Sequence, residues 1–542
     1  MKLVTVAEMR AIEQEADEHG LTYAEMLEKA GHGLAEEVSL LAYAEDDERT
    51  VIGLVGSGNN GGDTLVALAH LAAEGWHARA YLVRRKAQGD ALVERLKEKG
   101  GEILLAENDP TFEQLSAFVG VADVVVDGLL GTGFQLPLKS EVAKVLTAVN
   151  AAISALPWPP HVVAVDCPSG VDCDSGEAAD EVIPASLTVC MAAIKPGLLK
   201  FPAFELAGEL RVVEIGLTEE LKSWGKIQHF VADEATVEDL LPLRPAESHK
   251  GTFGTALIAA GSINYTGAAL LAGRAAYRVG AGLVQMAVPS SVQINLAGHF
   301  PEATWLMLPQ EMGVIAEGAA DVLAKNFERA TALLLGPGLG QEDTTKNFVE
   351  NLLKGKLSSK KAGGRIGFVH AEDEKQAAAS AGLPPLVVDA DGLRLLAKLD
   401  HWSSLLPAGS VLTPHPGEMA ALTGLEKEAI QADRLKLALK YAAEWGQIVV
   451  LKGAFTVIAA PDGRACLIPV ATAALARAGT GDVLAGIIVG LRTQGLAAYE
   501  AALVGAWIHA QAGLYAAEKV GSEASVMAGD VLDAIADVMS GF

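Results

Sequence analysis

The 542-residue chain carries 42 Lys and Arg against 68 Asp and Glu, a formal charge of −26, and half of its residues are apolar. The length exceeds what one hydrophobic core serves, and the acidity argues against nucleic acid and anionic membranes as partners. An anionic ligand would have to be held by local devices such as helix N-termini and backbone N–H groups.

Thr5-Val6-Ala7-Glu8 reads as a capping box opening a helix that ends near Gly20, and Thr22 as the cap of a second helix through Val38. A strand is expected at Thr50–Val55, followed directly by Gly56-Ser57-Gly58-Asn59-Asn60-Gly61-Gly62-Asp63 and a helix. Strand-like runs recur at Ala78–Val83, Val121–Val126, His161–Val165, Ser186–Met191 and Leu210–Ile215, with helical patterns between several of them. This alternation predicts a mostly parallel sheet with helices on both faces. Between Thr218 and Glu247 the chain turns polar or mixed, with Pro242 and Pro245 interrupting periodicity. The boundary is placed there, giving domains 1–224 and 225–542. A second α/β series follows, with strands expected at Ala256–Ala260, Leu283–Val288, Ala332–Leu335, Leu386–Val388, Ser410–Leu412, Ile448–Leu451 and Thr456–Ala459. Helices are expected at Ala268–Val279 and, after a Gly-interrupted turn, within Leu475–Arg492. The two halves are not copies of each other.

The four cysteines, Cys167, Cys173, Cys190 and Cys466, form no CxxC or Cys/His cluster and suit a reducing compartment. The first residues lack an apolar signal core, and charges such as Arg274 and Arg278 break the apolar stretches. The cytoplasm is the expected location.

Gly56–Gly61 satisfies GxGxxG after a strand, a turn that lets backbone amides approach a pyrophosphate but often is only a tight turn. A dinucleotide oxidoreductase would want an acidic residue after the second strand; here stands Arg84-Arg85-Lys86, suited to an extra phosphate or to a solvated basic face. Asn59 to Asp63 is more specific, placing two amides and a carboxylate beside the turn. Asp127-Gly128-Leu129-Leu130-Gly131-Thr132-Gly133 and Asp166-Cys167-Pro168-Ser169-Gly170 end two further strands with Asp and small residues. All three would converge at the carboxyl edge of the sheet, where ligands bind in open α/β folds.

These segments, with Lys195-Pro196-Gly197, resemble the NAD(P)H-hydrate epimerases over about residues 1–220, with a Rossmann-like three-layer αβα fold. The resemblance implies nucleotide contacts at Asn59, Asn60, Gly61, Gly62, Asp63 and the segment Gly131, Thr132, Gly133, Phe134, Gln135, Leu136 and Pro137. It implies a potassium ion on Asn60, Asp127 and Ser169, and Asp166 close to the hydrated nicotinamide ring. Asp166 is the candidate general acid/base; its plainer reading is a turn Asp before Pro168. Thr64 and Cys167 are small departures from the family pattern.

In the second half Gly479-Thr480-Gly481-Asp482 opens a helix whose first N–H groups would stabilise a transferring phosphoryl group, with Asp482 positioned to deprotonate a hydroxyl. This turn resembles that of ribokinase-like αβα proteins; a Walker A string is absent. His249 to Gly254, Gly261 to Ala269, Gly336-Pro337-Gly338-Leu339-Gly340, Asp389-Ala390-Asp391-Gly392, Thr413-Pro414-His415-Pro416-Gly417-Glu418 and Lys452-Gly453-Ala454 precede it in order. Together they resemble the ADP- or ATP-dependent NAD(P)H-hydrate dehydratases over about residues 235–542. That resemblance implies nucleotide contacts at Lys452, Gly453, Ala454, Phe455, Thr456 and Gly481. Hydrate contacts carry over to Ala268, Gly338, Gly340, His415 and Asp482, and Mg²⁺ would screen the phosphates of ADP or ATP. It leans towards a homo-oligomer. Plainer readings make His415 a rigid turn residue, Lys452 a surface lysine, and Asp389 and Asp391 helix caps. One departure stands out: Arg477 and Ala478 replace the family's Thr and Gly before Gly479. Arg477 would either contact donor phosphates or clash, and Ala478 cannot reach positive φ without strain.

The expected activity is metabolite repair, in which one half epimerises R and S hydrates and the other dehydrates the S form. The alternatives are a small-molecule kinase fused to a nucleotide-binding domain, and a nucleotide sensor with a decayed dehydratase site.

Overall fold

A computed structural model describes residues 1–41, 49–355 and 382–542. The chain divides into two compact units, Met1–Val231 and Ala232–Phe542.

In the first unit, helix α1 (Val6–Glu18) opens on the expected capping box: Thr5 Oγ accepts from Glu8 N–H, and Glu8 accepts from Thr5 N–H at 2.8 Å. Helix α2 (Tyr23–Leu41) follows. The strands are β1 (Thr50–Val55), β2 (His77–Leu82), β3 (Glu102–Leu105), β4 (Val124–Gly128), β5 (His161–Val165), β6 (Leu187–Met191) and β7 (Glu209–Val213). Their order is β3-β2-β1-β4-β5-β6-β7, and every pairing is parallel. Both faces are covered, so central strands such as the Val-rich β4 are buried along their whole length. One core cluster joins α1, α2 and α3 (Asn59–Ala73) to one sheet face, and a second fills the other. The chain reverses its direction of winding between β1 and β4, so the crevice outside their carboxyl ends is the place for a ligand. The short strand β3 carried no sequence signal, because none of its residues is fully buried.

In the second unit the sheet runs Thr304–Leu308, Leu283–Pro289, Thr255–Ala259, Ala332–Leu335, Leu386–Val388, Val411–Leu412, Ile448–Leu451, Val457–Ala459, Ala465–Leu467. The pairings are parallel as far as Ile448–Leu451; the last two strands are antiparallel. The switch point lies between Thr255–Ala259 and Ala332–Leu335. The strand expected at Thr456–Ala459 is present as Val457–Ala459 and turns back on Ile448–Leu451 as a hairpin, with Lys452 to Thr456 as its loop.

All four cysteines are free and buried. Among the described residues no helix is long and apolar enough to cross a membrane.

Candidate active sites of the two units

At the switch point of the first unit lies a cavity of about 660 Å³ lined by Asn59, Asn60, Asp63, Gly131 to Phe134, Asp166 and Lys195, with Arg10 and Glu13 from α1. A neighbouring cavity of about 700 Å³ takes in Gln135, Leu136 and Pro137 and shares Arg10, Ser57 and Thr132 to Phe134 with it. The expected nucleotide segments are thus split between two adjoining hollows. Gly61 and Gly62 line neither; Gly61 lets α3 approach the turn at Gly56, and Gly62 leaves room for the Leu27 side chain of α2. Gly56 is tighter still: a Cβ there would stand 1.9 Å from the Leu129 carbonyl oxygen. Gly56→Ala is accordingly expected to push the two loops apart, destabilising the unit by about 1–3 kcal/mol. Thermal unfolding combined with separate epimerase and dehydratase assays would check this, with only the first activity falling.

Asp127, at the end of β4, is fully buried, and burial pushes its carboxyl pKa up. Its oxygens accept from Ser169 Oγ at 2.6 Å and Ser169 N–H at 2.8 Å, while Ser169 Oγ also accepts from Leu130 N–H at 2.9 Å. The Asn60 amide faces the carbonyls of Leu130 and Val165. Asn60, Asp127 and Ser169 are thus brought together around one turn, in an oxygen-rich setting with a buried negative charge.

Asp166 follows β5 with φ +64, a backbone state that costs a non-Gly residue energy and that recurs at functional sites. Its Oδ1 accepts from Met191 N–H at 3.0 Å and from Lys195 Nζ. Lys195 is 1% exposed, and its ammonium also donates to Ala193 O at 3.0 Å. Burial works against the charge on Lys195, but Asp166 above all, with Cys190 and Cys173, turns the balance and raises the pKa. Asp63 and Glu13 complete the group; desolvation pushes both carboxyls up against Lys195, helped at both by the charge of Asp166 and at Asp63 also by that of Glu13, and Asp63 moves the further. Glu13 was missed by the sequence reading because on α1 it looks like part of a solvated face. The basic run after β2 is matched internally: Arg84 pairs with Glu141 and Arg85 with Asp90.

In the second unit a cavity of about 400 Å³ is lined by Lys452, Gly453, Ala454, Thr456, Gly481 and His415, with Arg477 and His509. Phe455 is absent from this lining; its ring is 7% exposed and packs into the core. Lys452 is no free surface lysine: its Nζ donates to Asp389 Oδ1 at 2.6 Å and lies 3.7 Å from Glu418. Asp389 also accepts from Thr413 Oγ at 2.7 Å, so it braces Lys452 rather than capping a helix. Asp391 accepts from Gly340 N–H at 3.0 Å, tying the GPGLG loop to this edge. Gly338, at φ +63, lies against Ala268 at the start of the helix Thr266–Arg278.

His415 is the N-cap of the helix Pro416–Thr423, its Nδ1 accepting from Gly417 N–H at 2.9 Å. Burial, then Lys452 and Arg394, hold its pKa down at about 4, so the ring is neutral and Nε2 carries the proton. Asp482 lies in the first turn of the helix Thr480–Thr493. Burial, then the negative charge of Asp389, push its pKa up to about 7, with Lys452 opposing. The altered loop resolves simply. Positive φ falls on Gly479 (+95) and not on Ala478, and the Arg477 guanidinium is tied to the Ala524 carbonyl.

Two α/β units, the first with a cavity at its switch point and the second with one between the loop after Ile448–Leu451 and the start of the helix Thr480–Thr493, each with carboxylates set beside a lysine ammonium, define an enzyme with two reaction centres. A family profile described as NAD(P)H-hydrate dehydratase matches residues 256–360 and 368–536, and one described as YjeF-related protein N-terminus matches residues 23–197. A bifunctional NAD(P)H-hydrate repair enzyme of Moorella thermoacetica is 37% identical over 539 residues, covering 98% of this chain and 96% of the relative. That of Escherichia coli is 33% identical, covering 95% of this chain and 89% of its own. Among solved structures, an ADP/ATP-dependent NAD(P)H-hydrate dehydratase of Bacillus subtilis is 30% identical and covers 58% of this chain and 98% of its own, with a TM-score of 0.46. The chain belongs to the family of bifunctional NAD(P)H-hydrate repair enzymes, with an epimerase unit followed by a dehydratase unit.

Proposed function

We propose that the first unit interconverts the R and S hydrates with Asp166 as the group that moves the proton, and that the second dehydrates the S form with Asp482 as base. What supports the assignments is a carboxylate held beside a lysine in each unit: Asp166 paired with the buried Lys195, and Asp482 in the field of Lys452, which pairs with Asp389. Asn59 to Asp63 and Gly131 to Pro137 would hold the nucleotide part of the hydrate. Potassium is the ion proposed for Asn60, Asp127 and Ser169, since their oxygens and the buried carboxylate suit a hard cation of low charge. When bound, it would supply positive charge beside the nucleotide.

In the second unit the hydrate would meet Ala268, Gly338, Gly340 and His415, whose Nε2–H is a donor. The nucleotide would lie against Lys452, Gly453, Ala454, Thr456 and Gly481. The relative from B. subtilis was co-crystallised with ATP and Mg²⁺, which supports ADP or ATP as donor and Mg²⁺ as the ion screening its phosphates. Asp482 takes the proton of the ring hydroxyl as its oxygen attacks the terminal phosphorus. AMP or ADP leaves, and loss of inorganic phosphate then restores NAD(P)H. The free, scattered cysteines support the cytoplasm as location.

The test mixes R and S hydrates of NADPH with the protein, Mg²⁺ and either ADP or ATP, and follows reduced-nicotinamide absorbance. Complete recovery is expected. No recovery with either nucleotide would overturn the dehydratase assignment. A halt near half would overturn the epimerase, provided spontaneous epimerisation is slow.

A further inference from the structure

We infer that His509 is a binding residue of the second unit's nucleotide cavity, its Nε2 accepting a hydrogen bond from a donor on the nucleoside, either the base's exocyclic amine or a ribose hydroxyl. The inference rests on the reading that this cavity takes the nucleotide. His509 sits in the middle of the helix Ala498–Val520, whose buried residues are otherwise almost all apolar. It is 8% exposed, it lines the cavity, and its Nε2 has no hydrogen-bond partner among the described residues. A buried polar atom without a partner costs free energy, and one that lines a cavity points to a group supplied by the ligand.

The direction of that bond follows from the rest of the ring. A hydrogen bond with the Thr480 backbone favours the ring's proton, as a carbonyl acceptor does. With Nε2 unpartnered, this contact falls to Nδ1, and burial keeps the ring neutral. A neutral imidazole that donates from Nδ1 has a bare lone pair at Nε2, so it wants a donor. Phosphate oxygens are acceptors and do not fit there; Lys452 and Gly481 serve them elsewhere on the wall. Around His509 the lining is apolar, with Leu475, Leu484, Ala506 and Ala510, a surface suited to a base and its ribose. Thr480 also begins the helix that carries Gly481 and Asp482, so the same ring contacts both the nucleoside end and the turn at the phosphoryl end.

Titration calorimetry on the full chain with Mg²⁺ compares ADP, inosine diphosphate, 2′-deoxy-ADP and 3′-deoxy-ADP. The wild type is expected to bind ADP about 10-fold more tightly than the analogue lacking the recognised donor. His509→Phe should bind ADP as weakly as the wild type binds that analogue, and bind the analogue itself unchanged. His509→Gln, which offers an amide oxygen, should retain part of the preference; His509→Leu carries the comparison if the Phe variant fails to fold. Unchanged ADP affinity in the Phe variant, or an equal loss for all four ligands, would overturn the assignment. Lys452→Met tests the cavity itself: undiminished ADP binding there would overturn the nucleotide reading, and the histidine with it.

Discussion

Asp482→Asn is expected to slow dehydration by roughly 10²–10⁴-fold while leaving epimerisation untouched. Burial, then the negative charge of Asp389, push its carboxyl pKa up to about 7 against the opposing charge of Lys452. A base works in its deprotonated form. Dehydration by the native enzyme should therefore fall as pH drops through about 7 and level off above it, and the Asn variant should lose this limb. Initial rates on the S hydrate with saturating nucleotide, measured across neutral pH for both proteins, check each half of the claim. A variant with wild-type turnover would remove Asp482 from the chemistry.

Lys195→Met should be the most damaging single change in the first unit. It leaves the Asp166 carboxylate buried beside Asp63 and Glu13 without its cation, a loss of about 3–5 kcal/mol by comparison with other broken buried pairs. That corresponds to a drop of roughly 10 °C in the unfolding midpoint of a unit this size. Adding Asp166→Asn to Lys195→Met removes the stranded charge and should recover much of the stability, yet epimerisation should stay roughly 10²–10⁴-fold down. Calorimetric melting and the epimerase assay on both variants separate the two effects. A stable, active Lys195→Met protein would show that the ion pair serves neither purpose.

The strand ends were legible in the sequence because Gly-rich turns and Asp residues punctuate Val-rich runs, and such punctuation survives in one dimension. Asp127 and Ser169 do meet, Asp166 does share a cavity wall with Asn60, and Lys452 does meet Gly481. What lies on helices was not legible. Glu13 and His509 look like an ordinary surface acid and an ordinary core residue until the fold turns one of their faces to a cavity. Partnerships were equally hidden: Lys452 and Asp389 are 63 residues apart, and no local spacing links them. The hairpin that makes Lys452 to Thr456 a loop was missed because a three-residue strand such as Val457–Ala459 carries no direction in its sequence. The loop before Gly479 misled differently, since the family pattern suggested a need for glycine at Ala478 that this backbone does not have.

The four buried thiols have a chemical consequence. A hydrogen bond with Cys173 and then burial push Cys167 well up, burial does the same to Cys190, and burial pushes Cys466 up to about 12, so these three offer no thiolate at neutral pH. Both reaction centres are built from carboxylates, amines, an imidazole and backbone amides. Disulfide-forming oxidants and thiol-alkylating agents consequently find little to attack at these three positions, and catalysis should persist under treatments that silence thiol-dependent enzymes.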